Sequence, residues 1–447
     1  MKTATIDYQD IIGAFRIDAE VYQPEYLKIE KKLMSIPHTT LGAQSRVFKK
    51  GIFDINAECY QETGIPFIRI SNLKNMFIDQ EEMVFIPIEE HEKNKATELK
   101  QGDIVLSKTA CPAASLVTVE KCNVSQDTIA IKLRKDAEVN GKFLVAFLNS
   151  KYGFPQMHRW FTGNIQMHLN LIESREIIVP LFDNKTQDAV AEQMDQALSL
   201  IELAKQSFVD ATQLIQAELR THAHENTPNW SEEKSAVVLI NERWDAEYYD
   251  RKYLLAEKDL KKYEHGTFLL DDAHIKDKNH TPSPEKKHKY VQLADIKSDI
   301  GYIDSYMIEL GKNLASRARR KITHNDVLLS SLEGSMTKCS IVPLELDGAI
   351  CSTGFYVLSL PEHYDPEYLL ALLKSNPYQL LLRKACSGTI MMAILKKELQ
   401  KIPFPNVQKE QQKEVVHLIR KSQDSYRKAQ EKRLQATQIV EEAIEKH

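Results

Sequence analysis

The chain has 447 residues, of which 43% are hydrophobic and 27% are charged, and its formal net charge at pH 7 is −4. This composition is typical of a soluble globular protein with room for two or more domains. No apolar run reaches the length of about 18 residues that a membrane span needs, and the opening MKTATIDYQD lacks the apolar core of a signal peptide. The slight acidity weakens a nucleic-acid-binding interpretation without excluding it, because a large protein can confine its basic residues to one surface.

An internal repeat begins with a shared phrase. RIDAEVYQPEY occupies residues 16–26, and RWDAEYYDRKY occupies residues 243–253. Further matches follow in the same order, at offsets close to 225: PFIRISNLK (66–74) with KYVQLADIK (289–297), GDIVLS (102–107) with NDVLLS (325–330), VSQDTIAIKL (124–133) with ICSTGFYVLSL (350–360), FLVAFLNS (143–150) with YLLALLKS (368–375), TGNIQM (162–167) with SGTIMM (387–392), IIVP (177–180) with IPFP (402–405), and ATQLIQAEL (211–219) with ATQIVEEAI (436–444). The collinear matches indicate two similar halves, roughly 1–221 and 222–447.

Each half is predicted to place a mixed region of short strands and helices before one long helix. The first long helix should start near Thr186, and in both helices the inward positions follow the a/d spacing of a coiled coil. These positions are Val190, Met194, Ala197, Ile201, Ala204, Phe208, Ala211 and Ile215 in the first helix and Val415, Ile419, Ser422, Tyr426, Ala429, Arg433, Ala436 and Val440 in the second. We expect the helices, each about 54 Å long, to pack antiparallel on each other around a pseudo-twofold axis. Pairing of each helix with another protein is the alternative.

Familiar catalytic motifs are missing from the sequence. There is no GxGxxG, GxxxxGK[ST], HExxH or GxSxG. NPY at 376–378 is interpreted as the end of a helix rather than as part of a methyltransferase site. The six cysteines contain no CxxC pair and indicate reduced thiols in a cytoplasmic protein. These observations favour a binding protein. A methyltransferase or nuclease with degenerate motifs, or a coiled-coil scaffold without DNA contact, remain as alternatives.

Basic and amide side chains near predicted strand ends are the candidates for nucleic-acid contact, because cations neutralise phosphates and arginine or asparagine reads base edges. In the first half the candidates are Lys49, Lys50, Arg69, Asn72, Lys108 and Arg159. In the second half they are Lys286, Lys287, Lys289, Arg317, Arg319, Arg320 and Lys321. The SRARRK cluster is the strongest, because adjacent cations repel one another unless a polyanion is near. A solvated charged surface is the alternative for each group.

The order PFIRISNL, GDIVLS, VSQ, FLVAFLNS, TGNIQM, IIVP and then a long helix with an early glutamine, repeated in the second half, resembles the specificity subunit of type I restriction–modification systems. The resemblance covers essentially the whole chain. It implies two target-recognition domains that each read one part of an asymmetric, split DNA site, with no catalysis in this chain. It further implies modification subunits that use S-adenosylmethionine and a restriction subunit that uses ATP and Mg²⁺. The chain departs from the family in the loop after the GDIVLS strand, which lacks the usual glycine-rich segment.

The resulting expectation is an α+β fold in which two target-recognition domains are joined by two long antiparallel coiled-coil helices. The predicted boundaries are 1–184 for the first domain, 185–221 for the central helix, 222–236 for a linker, 237–408 for the second domain and 409–447 for the C-terminal helix. The helix residues expected to form the rod and to bind partners are Val190, Met194, Ile201, Phe208, Ile215, Val415, Ile419, Tyr426 and Val440. Because the repeated phrase is shared, we expect Asp245 and Tyr249, like Asp18 and Tyr22, to fasten each domain to the framework rather than to read DNA.

Overall fold

A computed structural model of the chain describes residues 6, 19–53, 55, 57–74, 76–162, 168–219, 243–388 and 391–447. Four predicted features lie outside the described residues: Arg16 and Asp18 of the first repeated phrase, the 222–236 linker, and positions 163–167 of the TGNIQM loop. The fold is mixed α+β. It comprises two compact units: Met1–Leu200 with Lys428–His447, and Ile201–Arg427.

The first half of the chain contains seven of the helices that we label and fourteen strands. The helices are α1 Pro24–Met34, α2 Leu41–Gln44, α3 Ile88–Lys93, α4 Gly141–Leu148, α5 Gly153–Arg159, α6 Leu171–Arg175 and α7 Asn184–Glu218. The strands are β1 His38–Thr40, β2 Ser45–Lys50, β3 Ile65–Ile68, β4 Leu73–Lys74, β5 Met76–Ile78, β6 Val84–Ile86, β7 Leu99–Lys100, β8 Ile104–Ser107, β9 Ala114–Leu116, β10 Lys121–Val124, β11 Thr128–Leu133, β12 Phe161–Thr162, β13 His168–Leu169 and β14 Ile178–Pro180. All four residues of β8 are buried, as expected of a short apolar strand inside a core.

The second half follows part of this order, but its described residues have no labelled helix between Lys261 and Pro366. Its helices are α8 Arg251–Lys261, α9 Pro366–Lys374, α10 Asn376–Lys384, α11 Lys396–Leu399 and α12 Lys409–Lys446. Its strands are β15 Thr267–Leu269, β16 Lys287–Val291, β17 Ile296–Lys297, β18 Tyr302–Ile303, β19 Met307–Leu310, β20 Ala318–Lys321, β21 Val327–Ser330, β22 Cys339–Ile341, β23 Ile350–Ser352, β24 Phe355–Leu358, β25 Cys386–Ser387, β26 Ala393–Ile394 and β27 Pro403–Pro405.

The two units share their sheet connectivity. A four-stranded sheet has the order β6-β3-β10-β7 in the first unit and β19-β16-β23-β20 in the second. Its central pair is parallel in both, with Phe67 opposite Asn123 in the first unit and Tyr290 opposite Ile350 in the second. A second sheet contains β9-β8-β11 in the first unit and β22-β21-β24 in the second. The repeated sequence segments therefore fold into the same strand arrangement.

An early glutamine anchors the start of each long helix in the same way. The Asn140 N–H donates to Gln187 Oε1 at 2.8 Å, and the amide Nε2 of Gln187 donates to two backbone carbonyls at 2.8 and 3.1 Å. At positions 225 residues later, the Asp365 N–H donates to Gln412 Oε1 at 2.7 Å, and Nε2 of Gln412 donates to two carbonyls at 2.8 and 3.4 Å. Both glutamines are buried. They satisfy backbone groups in the preceding loops that would otherwise lack partners.

The long helices contribute their a/d positions to the interior. Val190, Met194, Ala197, Ala204, Phe208, Ala211, Ile215, Val415, Ile419, Ser422, Tyr426, Ala429, Arg433, Ala436 and Val440 are buried. Ile201 is partly buried. This stripe packs within the chain, so any partner would meet other faces of the helices.

Within the first unit the two helix segments run antiparallel. The Phe182 ring, just before α7, stacks on the His447 ring, just after α12, with centroids 5.7 Å apart. Further along, Lys432 Nζ donates to Gln193 Oε1 at 3.1 Å. Rising numbers on one helix therefore meet falling numbers on the other.

The segments in the second unit are also antiparallel. Ser422 Oγ donates to the Ala204 carbonyl at 2.7 Å, so this polar residue in the apolar stripe bonds the facing backbone. The Tyr263 hydroxyl donates to Glu218 at 2.9 Å and accepts from the Gln411 amide at 3.4 Å. The end of α7 therefore lies near the start of α12.

The second copy of the repeated phrase is tied into its own unit. The buried Arg243 guanidinium donates to both Asp245 oxygens at 2.7 and 2.6 Å and to the Cys386 carbonyl at 2.9 Å. This contact lowers the pKa of the Asp245 carboxyl. The Tyr249 hydroxyl donates to the Arg243 carbonyl at 2.9 Å. These contacts link the start of the second domain to β25.

Candidate nucleic-acid interface

Lys49, Lys50 and Lys108 lie around one turn of the first unit, and we call them the first basic surface. Lys49 and Lys50 end β2, which pairs with β11. Lys108 follows β8, which pairs with the other side of β11, and its N–H donates to the Asp127 carbonyl at 2.8 Å. The N–H of Gly51 donates to the Thr128 carbonyl of the same turn at 3.0 Å, so the strand ends meet there.

Gly51 allows this close approach. A Cβ at this position would lie 2.2 Å from the Ser125 carbonyl oxygen and 2.3 Å from that of Val124. Such distances are far below van der Waals contact. The glycine after the two lysines is therefore required by sterics, and it fixes where their backbone lies relative to the 125–128 turn.

The first basic surface carries three lysines close to one turn. None of its three lysines forms an ion pair with a described residue. Burial, together with the charge of Lys50, lowers the pKa of Lys108, while Asp127 acts in the opposite direction. Lys50 Nζ lies 4.6 Å from the ring centroid of Phe53, whose side chain is 64% exposed.

Asn72 does not belong to this surface, which corrects the expectation that it contacts DNA. It is 1% exposed, accepts the Arg69 N–H at 3.0 Å and donates to the Asp79 carbonyl at 3.0 Å. Its amide is used to form a turn. Arg69 is half-buried, with Nη2 donating to the Glu82 carbonyl at 2.7 Å and its guanidinium 5.8 Å from the Tyr60 ring centroid.

Arg159 is also a structural residue, and the prediction that it binds DNA is corrected by its contacts. Its side chain is 9% exposed, and its guanidinium donates to Glu30 at 3.0 Å and to the Val21 carbonyl at 2.7 Å. At the position 225 residues later, Lys384 pairs with Glu257 at 2.5 Å. In both halves, therefore, a cation forms an ion pair with the helix that follows the repeated phrase, α1 or α8.

Lys286, Lys287, Arg317, Arg319 and Lys321 form what we call the second basic surface. The 279–286 segment connects its two sides. At one end the His280 N–H donates to the Arg319 carbonyl at 2.7 Å, beside β20. At the other end the Gly311 N–H donates to the Lys286 carbonyl at 2.9 Å, beside β16 and β19.

Most cations of this surface lack an ion pair within the described residues, although the Glu309 carboxylate is close enough to Lys287 to interact with its charge. Lys286, Lys287, Arg317 and Lys321 form no ion pair with a described residue. Among the described residues Arg319 donates to neutral oxygens, the Ser316 carbonyl at 2.9 Å and the Thr281 hydroxyl at 3.4 Å.

His280 lies within this group of cations. Burial lowers its pKa, and the nearby charges of Lys321 and His288 lower it further. The neutral form of His280 is therefore favoured, because the surrounding positive charge opposes its protonation.

Lys289 and Arg320 are placed differently from the other predicted cations. Lys289 Nζ donates to the Glu345 carbonyl at 2.6 Å and lies 5.4 Å from the Tyr306 ring centroid. Arg320 has its Nε and Nη1 buried, and neither atom has a hydrogen-bond partner among the described residues. Arg320 sits opposite Cys351 on β23, so part of its guanidinium faces the interior.

Two hairpin contacts were not predicted. The β12–β13 hairpin holds the loop after β8 through the Leu169 N–H, which donates to the Lys108 carbonyl at 2.7 Å. The β25–β26 hairpin holds the loop after β21 in the same way, with the Ile394 N–H donating to the Ser331 carbonyl at 2.7 Å. The shared TGNIQM and SGTIMM segments indicated a turn, but they did not indicate that the loops after β8 and β21 would bind there. Strands of two residues are too short to leave a periodic pattern in the sequence.

The described residues contain neither a metal-binding cluster nor a membrane-spanning helix. In the part of the chain that the structure covers, His, Cys, Asp and Glu side chains form no group of three suited to a metal ion. None of the described helices combines the length and apolarity needed to cross a membrane.

Comparisons with known proteins relate the first half to a family. Residues 45–208 match the model of the type I restriction modification DNA specificity domain. The S subunit of a type I restriction–modification system from M. genitalium is 12% identical, over 90% of this chain and 92% of that one, with a TM-score of 0.36. The HsdS subunit from Thermoanaerobacter tengcongensis is 16% identical, over 91% and 96%, with a TM-score of 0.29. No curated protein matches the sequence. The family relation therefore rests on the domain match.

Proposed function

We propose that the chain, whose residues 45–208 match the model of the type I restriction modification DNA specificity domain, is the DNA-binding specificity subunit of a type I restriction–modification complex. Each unit would read one part of a bipartite, asymmetric site. The chain itself would be non-catalytic and cytoplasmic. Modification subunits would bring S-adenosylmethionine for methyl transfer, and a restriction subunit would bring ATP and Mg²⁺.

The observation that carries this proposal is a shared framework with two different charged surfaces. The strand order of the four-stranded sheet is the same in both units. The cations without an ion pair to a described residue, however, end β2 and follow β8 in the first unit, and lie on or beside β16 and β20 in the second. The strand order is shared while the positions of the cations differ. This combination is expected of two units that contact different DNA sequences. Phosphate contacts position such heads, and the neighbouring side chains specify bases.

The long helices suit a role in setting the distance between the half-sites. Each is a single helix, Asn184–Glu218 and Lys409–Lys446. At 1.5 Å per residue their lengths are about 52 and 57 Å, or roughly 16 base pairs of DNA at about 3.4 Å each. We propose that they pair as a coiled coil around a pseudo-twofold axis. Their outer faces would then dock the modification and restriction subunits; Leu203 and Leu214, 40% and 39% exposed, lie on such a face of α7.

The spacing role can be tested by lengthening both helices. Four residues inserted after Leu200 and four after Arg427 should add about 6 Å to each helix, close to two base pairs. Methylome sequencing of cells that express the variant with its partners should show the same half-sites about two base pairs further apart. Methylation with an unchanged spacer would contradict the proposal that the helices set the distance.

Two results would favour the alternative functions. Tight stoichiometric binding of S-adenosylmethionine by the isolated chain would indicate a methyltransferase. Failure of the chain to retain DNA, even when assembled with modification subunits, would indicate a scaffold.

A further inference from the structure

The four-stranded sheet ends differently in the two units. In the first unit the edge strand β6 is covered, because the Gln61 N–H donates to the Phe85 carbonyl at 2.9 Å on the outer side of the strand. In the second unit the matching edge strand is β19. Two of its residues, Met307 and Ile308, are 48% and 57% exposed, and the preceding Tyr306 is 40% exposed. Neighbouring residues of a strand point to opposite faces, so β19 has an exposed side chain on each face, and no described residue pairs with its outer side as Gln61 does with β6.

The open edge forms a two-stranded antiparallel ribbon with β16. Lys287 pairs with Leu310, and Lys289 pairs with Ile308. Cross-strand partners and every second residue share a face. Lys287, Lys289 and Ile308 therefore lie on one face of the ribbon, and Tyr306 continues that face beyond the end of β19.

The outer part of this face extends beyond the hydrophobic core. Val291, on the same face of β16, is fully buried in the core of the unit. Ile308, opposite Lys289, is 57% exposed. The face thus changes from buried to exposed along the strand, and the exposed part carries an apolar side chain beside a lysine that has no ion pair with a described residue.

We propose that this ribbon enters the major groove of DNA and that Ile308 reads a thymine through its 5-methyl group. The inference rests on the proposed function and names the base class of one half-site. A two-stranded ribbon fits the major groove, and the thymine methyl is the apolar group displayed there. Lys286 and Lys287, at the start of β16, supply the charge complementarity, since they would meet phosphates when the ribbon is in the groove. The first unit, with its edge covered by Gln61, reads its half-site by other side chains.

The test compares thymine with deoxyuracil, which lacks only the methyl group. The chain is assembled with its modification subunits, and its site is first determined by methylome sequencing. Each thymine of both half-sites is then replaced singly by deoxyuridine, and the dissociation constants are measured. Losing one buried methyl should weaken binding about fourfold, from about 0.8 kcal/mol per methyl(ene) group. We expect this at one or more thymines of one half-site only.

Variants assign the effect to the ribbon. Ile308→Ser should weaken binding by a similar factor and remove the difference between thymine and deoxyuracil in that half-site. Ile172→Ser is the matched control, because Ile172 is an exposed isoleucine of the first unit, at 72%. It should leave the difference intact.

Several results would overturn the inference. One is that no thymine of either half-site binds more tightly than deoxyuracil. Another is that the difference between thymine and deoxyuracil persists in Ile308→Ser. A third is that Ile308→Ser fails to assemble with the modification subunits, which would make β19 a protein-binding strand. If the unmodified complex shows no sequence-specific DNA binding at all, the proposed function itself fails. That outcome is distinct from a specific complex that ignores the methyl group.

Discussion

The salt dependence of DNA binding tests the second basic surface directly. The variant replaces Lys286, Lys287, Arg317 and Lys321 with alanine; all four are without ion pairs to described residues. Each phosphate contact contributes about −0.9 to the slope of log K against log salt. Four lost contacts should flatten the slope by about 3.6. Between about 50 and 200 mM salt, the variant should therefore lose about 150-fold less affinity than the original chain.

Both slopes, for the original chain and for the variant, can be measured by fluorescence anisotropy. The DNA is a duplex that carries the site found by methylome sequencing, and the chain is assembled with its modification subunits. A matched control removes four exposed lysines that already have carboxylate partners within 4 Å: Lys93, Lys95, Lys413 and Lys446. The control changes the net charge equally but should leave the slope nearly unchanged. Equal slopes for the original chain and the surface variant would refute the reasoning, since the cations would then be solvated rather than bound to phosphate.

The framework supports three further predictions. Gly51→Ala should weaken recognition of one half-site while leaving the other intact in methylome sequencing, because the added Cβ would lie 2.2 Å from a carbonyl oxygen of the 125–128 turn. Gln412→Ala leaves buried backbone groups without partners and should lower the free energy of unfolding by about 2–3 kcal/mol, measured by urea denaturation. Gln196→Ala, which removes a partly exposed amide whose solvent-exposed hydrogen bond goes to Glu192 at 3.1 Å, should change it by less than about 0.5 kcal/mol. Arg159→Ala should lower the stability by about 2 kcal/mol without flattening the salt dependence of binding, and a flatter slope would return this residue to the DNA surface.

The sequence predicted the framework well because its signals are local or repeated. The alternating strands and the a/d stripe each need only a few neighbouring residues to be recognised. The offset of 225 then shows which segments should fold alike, and Gln187 and Gln412 make the same hydrogen bonds. Burial of the a/d residues follows from the same periodicity.

The candidate interface was harder to predict because residue type does not identify a side chain's partner. Arg159 meets Glu30, which lies 129 positions earlier in the chain, and the two form an ion pair rather than a phosphate site. The repeat contained a usable signal: Lys384, at the equivalent position, is also basic, and it pairs with Glu257. If the two units read different DNA, as proposed, a cation that both share is better assigned to the framework. The prediction that Asn72 contacts DNA was wrong because its side chain is buried. No pattern in the neighbouring sequence indicated this burial.

The contrast between shared and divergent contacts bears on the proposal that the two units read different half-sites. Hydrogen bonds that set the framework recur in both units, such as those of the hairpins to the Lys108 and Ser331 carbonyls. The exposed side chains differ between the units. They are lysines around a turn in the first unit, and a basic surface beside a strand with exposed apolar side chains in the second. Since the framework bonds do not depend on those exposed side chains, substitutions there can change the DNA contacts at little cost in stability. Under the proposed function, substitutions of surface residues would change the half-site that a unit recognises. The long helices, anchored by Gln187 and Gln412, would keep their length.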